Sequence, residues 1–171
     1  SYTDLNPTTV DYVPCDGNVF TGSVNCPGQF DKPFLTVDEQ AGSPHRGTIY
    51  VYYTYFCAGV PTSSGGLAPC TDGNATIPPF DTAILVSHAP GLGMPFSPAD
   101  LVSGHHANAQ FSNMVIDKQG DPHIFFDDYT NFPIVTMYES SLLVNGGWKV
   151  NKTPVVTFTY NGLNNTNWQF N

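Results

Sequence analysis

"QFDKPFLTVDEQAGSPHRGTIYVYYTY", Gln29 to Tyr55, decides the fold. It holds an aromatic residue, an Asp-Lys-Pro step and a short apolar strand that ends on Asp38. A Ser-Pro turn closed by Gly47 follows, and then a run that is apolar at odd and even positions alike. Alternating β-branched and aromatic residues bounded by Gly and Pro signal strands. A strand apolar on both alternating sets must be covered on both faces. A stack of sheets provides that cover, whereas a two-layer sandwich leaves one face of each sheet to water.

The pattern recurs. "FLTVD" (Phe34 to Asp38) corresponds to "NMVID" (Asn113 to Asp117), and after a Gly turn "TIYVYYTY" (Thr48 to Tyr55) corresponds to "PHIFFDDY" (Pro122 to Tyr129). "QF" stands before both, at Gln29-Phe30 and Gln110-Phe111, and again at Gln169-Phe170. Third strands are expected at "DTAILVSH" (Asp81 to His88) and "FPIVTMYESS" (Phe132 to Ser141). Each leads through a Gly turn to an aromatic, Phe96 or Trp148. A four-stranded unit recurring along the chain reads as a propeller blade. The expected organisation is the tail of a preceding blade and a disulfide loop over 1–28, a blade with an inserted loop over 29–104, a second blade over 105–163 and the start of another over 164–171. The competing fold is an all-β sandwich with a chance echo.

Composition narrows the partners. The 171 residues hold five Lys and Arg against fourteen Asp and Glu, a formal charge of -9. Such a chain repels phosphate backbones, which makes nucleic acid and anionic membrane surfaces poor partners. The most apolar run, Ile49 to Val60, is far shorter than the roughly twenty residues of a membrane-spanning helix. No phosphate loop, nucleophile elbow or zinc helix occurs.

The four cysteines form two local pairs, Cys15 with Cys26 and Cys57 with Cys70, each enclosing a turn-rich stretch. Four cysteines allow three connectivities, and the nearest-neighbour one is expected. Zinc is the alternative, but neither pair has CxxC spacing and no His lies at a ligand-like offset. Sequons begin at Asn74, Asn151 and Asn164. Together with the cysteines they point to an oxidising, extracellular setting, secreted or at a cell surface.

The stretch "FDKPFLTVD…SPHRGTIYVYYTY" resembles the sialidase-like, Asp-box (BNR repeat) propellers, whose blades carry a D-K-P-[WF] strand, an S-P-x-x-G turn and a G-x-[IV]-Y-V strand. The Asp-box is degenerate in both repeats: "SHAPGLGMPF" (Ser87 to Phe96) lacks the Asp, and "SSLLVNGGW" (Ser140 to Trp148) keeps Ser, Gly-Gly and Trp. The resemblance implies an incomplete propeller of antiparallel four-stranded blades. It also implies that a working enzyme would need three arginines for the sialate carboxylate, an Asp acid/base and a Tyr-Glu pair. Arg46 is the only arginine, in a turn, so no catalytic residue is assigned.

Other residues carry two readings each. Asp127, Asp128 and Glu139 are either a glycosidase acid/base set or Ca²⁺ ligands at a propeller mouth, or solvated strand ends. His105-His106 reads as an exposed loop rather than a metal site. The "DGN" triplets at Asp16 to Asn18 and Asp72 to Asn74 read as tight turns. No cofactor is expected apart from this Ca²⁺ option. Two blades do not close a ring, so the expected partners are the rest of a larger chain or other copies of this one, with glycans as ligands. The resulting expectation is a non-catalytic scaffold or carbohydrate- or protein-binding module in a surface or fibrous assembly. The alternative is part of an exo-sialidase-like glycoside hydrolase whose arginines lie outside this chain.

Overall fold

The computed structural model describes residues 16–18, 23–25, 28–143 and 146–160. Within them the chain is all β, with no helix. Strands β1 (Asp16–Asn18) and β2 (Ser23–Asn25) pair as a ribbon. The first "DGN" is thus a strand, not a turn: Gly17 pairs with Val24 instead of bending the chain. Next come β3 (Gly28–Val37) and β4 (Ile49–Cys57). An excursion follows, made of two small hairpins: β5 (Val60–Pro61) with β6 (Leu67–Ala68), and β7 (Cys70–Asp72) with β8 (Ala75–Ile77). The second "DGN" turns the latter hairpin through Gly73, whose φ is +53°. The chain then returns as β9 (Thr82–Ala89) and β10 (Asp100–Leu101).

A second series comprises β11 (Ala109–Ile116), β12 (Pro122–Asp128), β13 (Ile134–Leu142), β14 (Trp148–Val150) and β15 (Val156–Thr159). Two antiparallel sheets result, in the orders β10-β9-β4-β3 and β11-β12-β13-β14, and neither closes on itself. Each is a four-strand meander, the first interrupted only by its excursion. β15 was not foreseen: it pairs with the first half of β13, through Ile134 to Met137, while β14 takes the second half.

The two meanders share their irregularities as well as their strand order. The register of β3 on β4 slips between Asp31 and Phe34, and that of β11 on β12 between Gln110 and Asn113. Inside each bulge a non-glycine residue has a left-handed backbone, Lys32 and Phe111, both with φ 52°. Such residues are uncommon outside glycine and are held by surrounding structure. After β3 and β11, Asp38 and Asp117 each cap a turn by accepting a bond from the N–H two residues on, at 2.9 and 2.8 Å. Gly47 (φ 93°) and Gly120 (φ 91°) close those turns, each donating its N–H to the same Asp carbonyl. The matching bulges make Lys32 equivalent to Phe111, so the Gln-Phe echo is two residues out of step. The Val37–Ile49 and Ile116–Pro122 pairs make Ile49 equivalent to Pro122, one residue from the sequence alignment.

The core forms in two places. Between the sheets, Tyr50, Tyr52, Ile84 and Val86 of the first pack on Met114, Ile124 and Phe126 of the second. The Tyr52 hydroxyl crosses the gap and accepts a bond from Met114 N–H at 3.2 Å. On the other face of the first sheet, Tyr53, Tyr55, Ala83 and Leu85 pack beneath Cys70, Ala75, Ile77 and Ala99. The excursion is therefore a roof. β4 is covered on both faces, as its sequence demands, and burying each such large side chain is worth about 1.5–3 kcal/mol. β12 differs. Ile124 and Phe126 are fully buried, while His123, Phe125 and Asp127 on its other face are only half-buried. Within this chain Ile49 to Tyr55 is covered on both faces and His123 to Phe126 on one.

Candidate functional site

Cys57 closes β4 and Cys70 opens β7, and their sulfurs are bonded, with the Cα atoms 5.8 Å apart. The bond ties the roof to the strand that it covers. Cys15 and Cys26, and the sequon at Asn164, lie outside the described residues. Asn74 and Asn151 are both exposed. The Asn74 amide donates to Asp100 Oδ1 at 2.8 Å, and Asn151 Oδ1 accepts from the Thr153 N–H at 3.1 Å. Arg46 is exposed in the turn between β3 and β4.

The strand pleat separates the two neighbouring aspartates at the end of β12. Asp128 faces the inter-sheet side. Its Oδ2 meets His106 Nδ1 at 2.7 Å, and its Oδ1 accepts from both the N–H (2.9 Å) and the hydroxyl (2.5 Å) of Thr130. Burial pushes its pKa up, but the Thr130 and His106 bonds outweigh that and leave the carboxyl below its usual range. His106 is not a loose loop residue: its ring lies 4.2 Å from that of Tyr138 and 5.5 Å from that of Phe126. His105 beside it is exposed.

Asp127 faces the opposite way, level with Met137 and Gln110. Its Oδ1 is buried and has no hydrogen-bond partner among the described residues. Desolvation raises its pKa. Tyr129 also titrates above its ordinary value, first through burial and then through the Asp127 charge. Glu139 shares the Asp127 face. Its Oε1 meets His123 Nδ1 at 2.6 Å, and His123 Nε2 lies 3.7 Å from Asp117 Oδ2. Asp127 and Asp128 therefore cannot act as one acid/base pair. Glu139 is engaged with a histidine. No group of three or more His, Cys, Asp or Glu among the described residues is arranged to hold a metal ion.

Three participants escaped the sequence reading: Asp117, His123 and Lys32. The ammonium of Lys32, ion-paired with Asp31, lies 4.6 Å from the Phe111 ring centroid, so the two bulges touch through a cation–π contact. Period-two counting from Glu139 across the β12–β13 register would have found His123, because residues of like parity on paired strands share a face. Lys32 carried no such signal, since a bulge breaks the parity that such counting relies on. No protein-family model, curated protein or solved structure matches this chain.

Proposed function

We propose that the chain is a non-catalytic scaffold and binding module built from sialidase-like propeller blades, acting outside the cell within a larger surface or fibrous assembly. The observation that carries this reading is the sense in which the sheets stack. Tyr50 and Tyr52 of the first sheet meet Ile124 and Phe126 of the second. By register, these last two are the equivalents of Val51 and Tyr53, which lie on the opposite face of the first sheet. One face thus receives the other face of the next repeat. A contact between unlike faces propagates instead of closing as a pair. The outer face of the second sheet is then where a further, unroofed repeat would sit. Val115, Val156 and Phe158 there are 51%, 45% and 40% exposed. The Cys57–Cys70 bond and the exposed sequon asparagines support an oxidising compartment. The single, exposed arginine supports a role without sialate turnover.

Sedimentation tests the proposal. The chain should self-associate and bind a hydrophobic dye, and Val115→Lys with Phe158→Lys should return it to a monomer. A dye-silent monomer at every concentration, unfolding in one cooperative transition, would replace this reading with a self-contained β-sandwich.

A further inference from the structure

At the end of the molecule where the β3–β4 and β13–β14 turns lie, the two sheets part around a cavity of about 270 Å³. Tyr50 and Trp148, from different sheets, supply aromatic walls, and Leu142 adds an aliphatic one. His45, His88 and Asp100 bring polar groups to the same space. Trp148 is the residue that ends the second degenerate Asp-box, and its packing against the inter-sheet core leaves it half-buried.

The polar groups are held in place. Asp100 Oδ1 accepts from the Asn74 amide at 2.8 Å, which fixes the carboxylate and leaves Oδ2 for a ligand. Ser97 Oγ lies 3.1 Å from His88 Nδ1, which orients that ring and leaves Nε2. Tyr50 is 3% exposed and lines the cavity. A ligand hydroxyl in the cavity can accept a hydrogen bond from the phenol. Burial, with the charges of Asp38 and Asp121, pushes the Tyr50 pKa up to about 12, so the phenol keeps its proton and can donate.

This set of groups discriminates between ligand classes. An anion would meet Asp100 with no Lys or Arg in the lining. A cation would suit the carboxylate and the rings but would leave the Tyr50 donor unmet. An apolar ligand would strand both Tyr50 and Asp100. A neutral sugar matches all of them: each hydroxyl both donates and accepts, and the C–H face of a pyranose packs on an aromatic ring.

We propose that this inter-sheet cavity binds a single neutral pyranose, such as the end of a glycan. The site deepens the binding role proposed above and is independent of assembly, since both of its walls belong to one chain.

Saturation-transfer NMR on the intact chain provides the test, with methyl glycosides of the common neutral hexoses, sialate and tetramethylammonium as probes. At least one neutral hexoside should receive saturation at its ring protons. Tyr50→Phe, which removes one oxygen and keeps the core, should weaken that binding about tenfold, as should Asp100→Asn. Overturning results are the absence of any hexoside signal, equal binding by both variants, or preference for sialate or tetramethylammonium. These outcomes are separable from the assembly reading, which stands or falls on sedimentation.

Discussion

The same backbone is written twice in this molecule, with different chemistry on one face. At equivalent register positions the first sheet presents Tyr50, Tyr52, Thr54, Ile84 and Val86, and the second presents His123, Phe125, Asp127, Met137 and Glu139. The first set is buried against a neighbour, whereas the second is half-buried. Even the flaw is shared. Thr54 Oγ1 and Asp127 Oδ1 both lack a hydrogen-bond partner among the described residues, but a hydroxyl is far cheaper to leave in that position than a carboxylate. Strand order, bulges and turns therefore follow from a repeated backbone pattern, while the neighbours of each sheet follow from side chains at a handful of positions.

The sharpest way to break this contrast is to cut a large side chain from each face of β12. Phe126→Ala, in the inter-sheet core, should lower unfolding stability by about 3–5 kcal/mol. Phe125→Ala, one residue away on the half-buried face, should lower it by less than about 1.5 kcal/mol. Denaturant titration at a dilution where the chain is monomeric gives both values. Equal losses would mean that the second sheet is covered on both faces after all.

A smaller effect should separate the roofed face from the open one. Replacing Cys57 and Cys70 by Ala removes a link between residues 13 apart, worth roughly 3 kcal/mol on the loop-entropy account. Hydrogen exchange should then rise in 58–81 and in β4 and β9, with β12 and β13 little changed. A uniform rise across both sheets would show that the roof supports the whole stack.

The smallest effect concerns the two aspartates. Asp128 has a carboxyl lowered in the fold, so its stabilisation is present above the ordinary carboxylate pKa and is lost as pH falls through the lowered value, below about pH 4. Asp127 is raised, so its ionised form works against folding at neutral pH, and the penalty fades as pH falls through the raised value. Asp128→Asn should therefore lower the melting temperature at pH 7 and matter little in acid. Asp127→Asn should leave it unchanged or raise it, by no more than about 1 kcal/mol in stability. Thermal unfolding of both variants across pH decides, and a loss at pH 7 from Asp127→Asn would reveal a partner for that carboxylate.

Much of this was legible in the residues. The apolar runs at Thr48 to Tyr55, Asp81 to His88 and Phe132 to Ser141 marked the long strands, and Gly47 and Gly120 marked the turns that demand a left-handed backbone. The Cys57–Cys70 bond followed from proximity. The register did not, because Lys32 and Phe111 bulge without a glycine to announce them, and each bulge shifts the parity of everything before it. The roof was also hidden. β7 and β8 are three residues each, too short for a period, and their apolar members Ala75 and Ile77 find their purpose only against Leu85 across the chain. For the candidate site, the sequence named Asp127, Asp128 and Glu139 but placed the first two together, since adjacency in a strand means opposition in space.

If repeats stack as proposed, the roof gives that stack a polarity. With Cys70, Ala75 and Ile77 over Leu85 and Tyr53, a preceding repeat cannot lie flat on the first sheet, whereas the second sheet offers Val115, Val156 and Phe158 to whatever follows. In the language of polymers, one side is a blocked terminus and the other a living end. A second copy of this chain cannot present its own roofed face to that end, whereas an unroofed repeat can, and reduction of the Cys57–Cys70 bond would loosen the blocked terminus.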